Sequence, residues 1–197
     1  MDVNPQLDLD TRSGWPTDVR TLIEAYPREI WPAHTNLGDM TQFWLSRHAL
    51  FRQMATELTD ISEAFREQHL TVAGFLEMFG PRLSVFLGNL DEHHNVEDHY
   101  YFPKLRQADQ RLERGFEVLE SDHQVIHQRI SATYDSAVAL MSVLQTSAAR
   151  ADREAEAYVT ISTLLLGNLK RHLEDEEDLI VPLILDRGET GLGLTGV

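Results

Sequence analysis

The chain has 197 residues, no cysteine, and a net charge of −15 from 32 acidic against 17 basic side chains. This length suits one domain with a hydrophobic core, and the acidity argues against nucleic acid and anionic membranes as partners. Without cysteine there are no disulfides, thiolate metal sites or iron–sulfur clusters. The N-terminus lacks the apolar stretch of a signal peptide and no run reaches the ~18 residues of a membrane span, so we expect a cytoplasmic protein.

Both ends of the chain differ in composition from its middle. Residues 1–40 predict an N-terminal arm with at most short helical turns, because helix breakers such as Pro16, Pro27 and Pro32 recur there. The glycine-rich residues 187–197 are expected to form a flexible tail.

Residues 41–186 predict an all-α, antiparallel up-down-up-down four-helix bundle. Apolar residues recur there at intervals of three and four, and the alternation typical of strands is absent. The predicted helices cover 41–68, 71–105, 110–145 and 152–185. The second helix has an alternative start at Pro81, because proline suits the first position of a helix. Connections as short as these join antiparallel neighbours.

Three of the predicted helices carry a pair of polar residues with the spacing i, i+4. Residues at this spacing lie one above the other on one face of a helix, so both side chains can reach one cation. Imidazole and carboxylate without thiolate suit iron, manganese or zinc. The pairs are His93/Glu97, His123/His127 and His172/Glu176.

In two of these pairs a proline follows the glutamate at the same spacing. This shared pattern indicates which face of the second helix carries the ligands. The pattern H-x-x-x-E-x5-P ends at Pro103 and again at Pro182. The repeat favours His93 over the adjacent His94, which has its own acidic residue at i+4 but points about 100° away. We therefore expect the remaining histidines to be solvated or to lie behind the ligands: His34, His69, His94 and His99.

The three pairs and His48 fall at one level of the predicted bundle. His48 and His93 are equidistant from the segment 69–74, and the later pairs are equidistant from 106–110 and from 147–151. All three segments are polar or small, as connections usually are. Seven candidate ligands from four helices would then meet, although a second helix that started at Pro81 would displace His48.

This order of ligands resembles the hemerythrin family, including its bacterial HHE cation-binding relatives, over about residues 41–185. By that resemblance His48, His93 and Glu97 are ligands of the first two helices, and His123, His127 and His172 are ligands of the last two. The resemblance implies two non-haem irons joined by two carboxylates and an oxo or hydroxo bridge, with one position open to a small molecule.

Glu97 and Glu176 are the bridging carboxylates that the resemblance implies. In the oxygen-carrying members the second bridge lies five residues after the histidine, which here is Glu177. Glu176 follows the bacterial pattern instead, so the two neighbours compete. This departure argues against simple oxygen transport.

The function predicted from these residues is a di-iron protein that binds or senses O₂ or a related molecule such as NO. One alternative is a di-iron enzyme that decomposes H₂O₂ or reduces O₂, and another is a metal-free helical interaction protein. A ferritin-like centre ranks lower, because it needs Glu-x-x-His on two helices and only Glu120 and His123 supply that spacing.

Overall fold

The computed structural model describes residues 7–17, 19–147 and 151–194, and within these ranges the chain is all-α with no strand. A short helix and a 3₁₀ turn at Arg28–Ala33 precede four long helices, and a second 3₁₀ turn, Gln110–Leu112, precedes the third of these. The helices are α1 (Thr21–Ala25), α2 (Asp39–Arg66), α3 (Val72–Val96), α4 (Phe102–Ala108), α5 (Glu113–Ser147) and α6 (Asp152–Arg187). A π-helical turn, Glu97–Tyr101, joins α3 to α4. The antiparallel order of the helices stays a prediction.

The second predicted helix is continuous across Pro81, which lies inside α3. The helix therefore starts near residue 71, the first of the two predicted starts. The connection before it contains Gln68, whose φ of +62° turns the chain sharply after α2. The connection 148–150 before α6 lies outside the described residues.

The described chain divides into two compact units. The first combines the chain up to His48 with residues 94–124 and the chain from Lys170 onward, and the second combines 49–93 with 125–169. The first unit has a core of tryptophans from the arm and of apolar residues from α4, α5 and α6, including Trp15, Trp31, Phe102, Phe116 and Leu183. In the second, the rings of Phe65, Phe75 and Phe79 stack in sequence, and Tyr158 meets Phe79 edge-on.

The described part of the arm contains a short helix and a 3₁₀ turn. The segment expected to form a flexible tail contains Leu192 and Leu194, which are both buried in the hydrophobic core of the first unit. Glu189 accepts hydrogen bonds from the backbone and the hydroxyl of Thr41, which satisfies donors in the first turn of α2. The ends of the chain, 1–6 and 195–197, lie outside the described residues.

No helix in the described ranges is both long enough and apolar enough to cross a membrane.

Replacing Leu194 by alanine tests the docked tail. We expect Leu194→Ala to lower the free energy of unfolding by about 2–5 kcal/mol, because it deletes a fully buried side chain. Leu164→Ala, at a leucine that is 52% exposed, is the matched control and should change it by less than about 0.5 kcal/mol. Urea denaturation measures both, and equal stabilities would show that the tail is not packed.

Candidate metal centre

Three buried histidines of the first unit each place Nδ1 against a carboxylate. The pairs are His48 with Glu177 at 3.1 Å, His123 with Asp98 at 2.7 Å, and His172 with Asp122 at 3.5 Å. A carboxylate that accepts Nδ1–H fixes the ring and leaves the Nε2 lone pair for a metal, as second partners of metal-binding histidines do. All three histidines are at most 1% exposed, so the surrounding protein rather than solvent fixes the orientation of their rings.

The Nε2 atoms of these rings converge on one region of the first unit. Nε2 of His123 lies 3.0 Å from Nε2 of His172. When both Nδ1 atoms donate to carboxylates, two lone pairs face each other across this gap, and only a shared proton or a cation makes that arrangement favourable. The site therefore fits a metal ion.

Two buried glutamates complete the region. Oε2 of Glu176 lies 3.4 Å from Nε2 of His172 and 3.5 Å from Nε2 of His48. Glu176 is fully buried, and its carboxyl group interacts with that of Glu97. Oε2 of Glu97 lies 3.7 Å from Nε2 of His123. One donor atom each from His48, Glu97 and Glu176 lie within 4.8 Å of one another, close enough for one cation.

The structure separates the two competing glutamates of α6. Glu176 faces His48 and His172, whereas Glu177 lies behind His48 and accepts from its Nδ1. This arrangement favours Glu176 as the ligand and gives Glu177 the task of orienting a histidine.

His94, which was expected to be solvated or to lie behind the ligands, is buried. Its ring stacks on His123 with 4.1 Å between centroids and meets His172 edge-on, and donor atoms of the three histidines lie within 4.8 Å of one another. The two rings lie face to face in nearly parallel planes, at an angle of 13°, so the lone pairs of His94 and His123 lie in separate planes. A common ion for His94 and His123 would therefore require one ring to turn.

His93 and His127 belong to the second unit and are half-buried there. The His93 ring packs 5.0 Å from Phe51, and Nε2 of His127 lies 3.5 Å from a carboxylate oxygen of Asp91. His127 is in neither group of metal-compatible donors found among the described residues. The assignment of both histidines as ligands stays a prediction.

The π-helical turn begins at Glu97, one of the predicted ligands. Pro103 lies near the start of α4 and has no N–H, so the regular α-helical bond to residue 99 is missing there. A single π turn is a common response within a helix and occurs frequently at functional sites. The side chains after Val96 therefore point in directions that differ from those in a regular α-helix. The i, i+4 rule, which assumes a regular α-helix, does not predict these directions.

Burial favours the neutral forms of these groups when no cation is present. It raises the pKa of Glu97 to about 7 and that of Glu176 well above its ordinary value, with the neighbouring Glu97 carboxylate adding to the effect on Glu176. Burial also lowers the pKa values of His123 and His172. A cation reverses the preference of the carboxylates, so binding it must expel their protons.

Two arginines of the arm, Arg12 and Arg28, donate hydrogen bonds to carboxylates that contact the buried histidines. Arg12 is 1% exposed, and its guanidinium donates to Asp175 at 2.8 Å and to Asp122 at 3.2 Å. Burial alone would raise the pKa of Asp122, but hydrogen bonds from His172 and Arg12 keep it below its ordinary value. Asp122 therefore stays ionised and in place behind His172.

Arg28 makes a similar contact with the carboxylate beside His48. Its guanidinium donates to Oε2 of Glu177 at 2.7 Å, and the other oxygen of Glu177 accepts from His48. The ring of Trp31 lies under the guanidinium at 4.8 Å. No sequence pattern pointed to either arginine, since isolated basic residues in a proline-rich arm carry no periodic signal.

A family model described as the hemerythrin HHE cation-binding domain matches residues 39–184. The chain belongs to this family. The match begins with α2 and ends in α6, so the hemerythrin domain carries the histidines and glutamates of the centre, whereas Arg12 and Arg28 precede it. No curated protein and no solved structure matches the chain.

Metal affinity should fall as the solution becomes more acidic. Glu97 is protonated below its raised pKa of about 7, and a cation must then displace that proton. We expect the affinity for iron(II) to fall about tenfold per pH unit below pH 7 for each proton displaced and to level off above it. Competition with a chromophoric chelator between pH 6 and pH 8 measures this, and a flat profile would contradict proton displacement.

Arg12→Gln tests the support from the arm. Removing one partner of a buried ion pair should lower the free energy of unfolding by about 3–5 kcal/mol, and loosening Asp122 should weaken iron binding about 10–100-fold. Arg12→Lys keeps the charge and should retain part of the affinity. Arg20→Gln is the control, because Arg20 is half-exposed and pairs with the exposed Glu24 at 3.2 Å. Unchanged affinity in folded Arg12→Gln would exclude this role.

Proposed function

We propose that this hemerythrin domain holds two non-haem iron ions and that the protein reversibly binds or senses O₂ or a related small molecule such as NO. The observation that carries the proposal is the set of three buried histidines, each with Nδ1 on a carboxylate and Nε2 directed at buried glutamates. The proposed ligands are those predicted from sequence: His48, His93, Glu97, His123, His127, His172 and Glu176.

The position of Glu176 supports a centre with two ions rather than one. The same oxygen, Oε2, lies within 3.5 Å of Nε2 of His48 and of His172, whose rings come from different helices. A carboxylate between two histidines is suited to join two ions, and Glu97 would do so from the opposite helix. When bound, the two irons with their oxo or hydroxo bridge supply reversible redox chemistry and an open coordination position.

The side chains around the ions have separable tasks. Asp98, Asp122 and Glu177 orient the rings that bind, and Trp44 donates to the second oxygen of Glu97 at 2.7 Å and so restricts its rotation. Phe102 stacks at 5.3 Å on His123 and helps to exclude water from that ring. These contacts hold the donors in place before a metal arrives.

The alternatives differ in what they require of these residues. A metal-free interaction protein would have no use for buried glutamates with raised pKa values, so the cluster argues against it. An enzyme that decomposes H₂O₂ or reduces O₂ would use the same centre, and kinetics must separate it from a carrier or sensor. Iron rather than manganese or zinc, and a cytoplasmic location, stay predictions.

Reconstitution followed by rapid mixing tests the proposal. Protein loaded with iron(II) should hold about two irons per chain and, on mixing with O₂ in a stopped-flow spectrometer, should develop an absorption band that disappears when O₂ is removed. Rapid loss of the band with steady consumption of H₂O₂ or O₂ would instead identify the enzyme. One iron per chain without magnetic coupling would contradict the two-ion centre.

Substitution of the adjacent residues His93 and His94 in α3 tests the ligand assignment. We expect His93→Ala to reduce the iron content to one per chain or less, because His93 belongs to the repeated pattern. His94→Ala should keep about two irons while it destabilises the first unit, since its ring stacks on His123 without converging on the same ion. Iron analysis and thermal melts of both variants decide, and the opposite result would assign the site to His94.

A further inference from the structure

A small void in the first unit borders Glu97, one of the proposed bridging carboxylates. The void has a volume of about 10 Å³, the lower limit for one water molecule, and its walls are almost entirely apolar. Glu97 itself is 1% exposed, so solvent does not reach its carboxylate in this arrangement. A molecule that approaches Glu97 from this side must therefore displace part of the wall.

One residue of this wall lies outside the helices. Leu194 lines the void, whereas α6 ends at Arg187. The other lining residues belong to α2, the π-helical turn, α4 and α6: Met40, Trp44, Glu97, Tyr101, Leu105, Ile180 and Ile184. Moving any of these would break backbone hydrogen bonds of a helix, which is costly where those bonds are buried. Leu194 is therefore the part of the wall that can move at the lowest cost.

The tail segment, residues 188–194, is folded on itself and is joined to α6 through a glycine. The N–H of Leu192 donates to the carbonyl of Gly188 at 3.1 Å, and that of Leu194 donates to the carbonyl of Glu189 at 2.9 Å. Gly188 has a φ of +73°, a conformation that favours glycine. Rotation about Gly188 would swing the segment as one body and keep these internal hydrogen bonds.

Polar contacts and buried leucines hold the tail segment in its docked position. Oε1 of Glu189 accepts from the N–H and the hydroxyl of Thr41 at 2.7 and 2.6 Å, and Lys104 donates to the carbonyl of Gly193 at 3.1 Å. The hydrogen bond of Lys104 is exposed to solvent, so it adds little net stability. A segment held at its surface in this way opens at a fraction of the cost of global unfolding.

We propose that the tail segment is a lid on the metal centre and that Leu194 controls access to Glu97. This inference rests on the proposed function, because it assigns the route by which a small molecule reaches the ions. The apolar wall favours uncharged diatomic molecules such as O₂ and NO over water and charged ligands, which lose their hydration on entry. The lid lies outside residues 39–184, the part of the chain that matches the hemerythrin domain.

Acrylamide quenching of tryptophan fluorescence tests the lid on the full-length, metal-free protein. We expect Leu194→Ala to raise the quenching of Trp44 about two- to fivefold, because Trp44 lines the void and collisional quenching follows the population of open states. The increase should disappear when Trp44→Phe is added, and Leu194→Met, which keeps the volume, should resemble the wild type. Leu112→Ala is the control, since Leu112 is buried in the same core but lies outside the lid and the wall of the void.

A second variant loosens the lid without changing the wall of the void. Glu189→Ala removes the hydrogen bonds to Thr41 and should raise both the quenching of Trp44 and the rate at which EDTA extracts iron(II), each about two- to fivefold. Equal quenching in Leu194→Ala and Leu112→Ala would overturn the lid. If Leu194→Ala does not fold, unchanged quenching in Glu189→Ala overturns it. Protein that holds no iron would contradict the proposed function alone, since the quenching experiment needs no metal.

Discussion

The structure of the first unit depends on how histidines and carboxylates are kept inside a helical core. His48, His123 and His172 each have Nδ1 on a carboxylate, and their Nε2 atoms lie close to one another or to the buried carboxylates of Glu97 and Glu176. Burying such groups costs free energy unless each finds a partner. A metal ion is the one partner that satisfies several of them at once, so the packing of the helices and the affinity for metal are two aspects of one arrangement.

The arm extends this arrangement beyond the matched domain. Arg12 and Arg28 each neutralise a carboxylate that orients a histidine, which makes a chain of contacts from arginine through carboxylate to imidazole on both sides of the centre. The domain match starts at residue 39, so a segment outside it supplies the cations that neutralise the carboxylates beside His48 and His172. The many acidic groups of α5 and α6 are tolerable inside partly because these two cations lie among them.

The sequence predicted the helices because they depend on local periodicity, and the same periodicity gave the candidate site residues. Intervals of three and four set the helices to within a few residues, and the i, i+4 rule brought His172 and Glu176 to one face. It did not place His94, because His93 and His94 each have an acidic residue at i+4, and packing around a π turn decides which ring is buried. The positions of Arg12 and Leu194 depend on contacts between distant parts of the chain, which no periodicity records.

The division of the chain into units has a consequence for how such proteins can diverge. The second unit is made of two segments of equal length, 49–93 and 125–169, and each is a pair of helix halves with its connection. Insertions or deletions of whole helical turns near residues 67–71 and 147–151 would therefore lengthen or shorten the second unit and leave the sequence of the first unit unchanged. Relatives with longer or shorter hairpins would then differ in the second unit while they keep the buried histidines and carboxylates of the first.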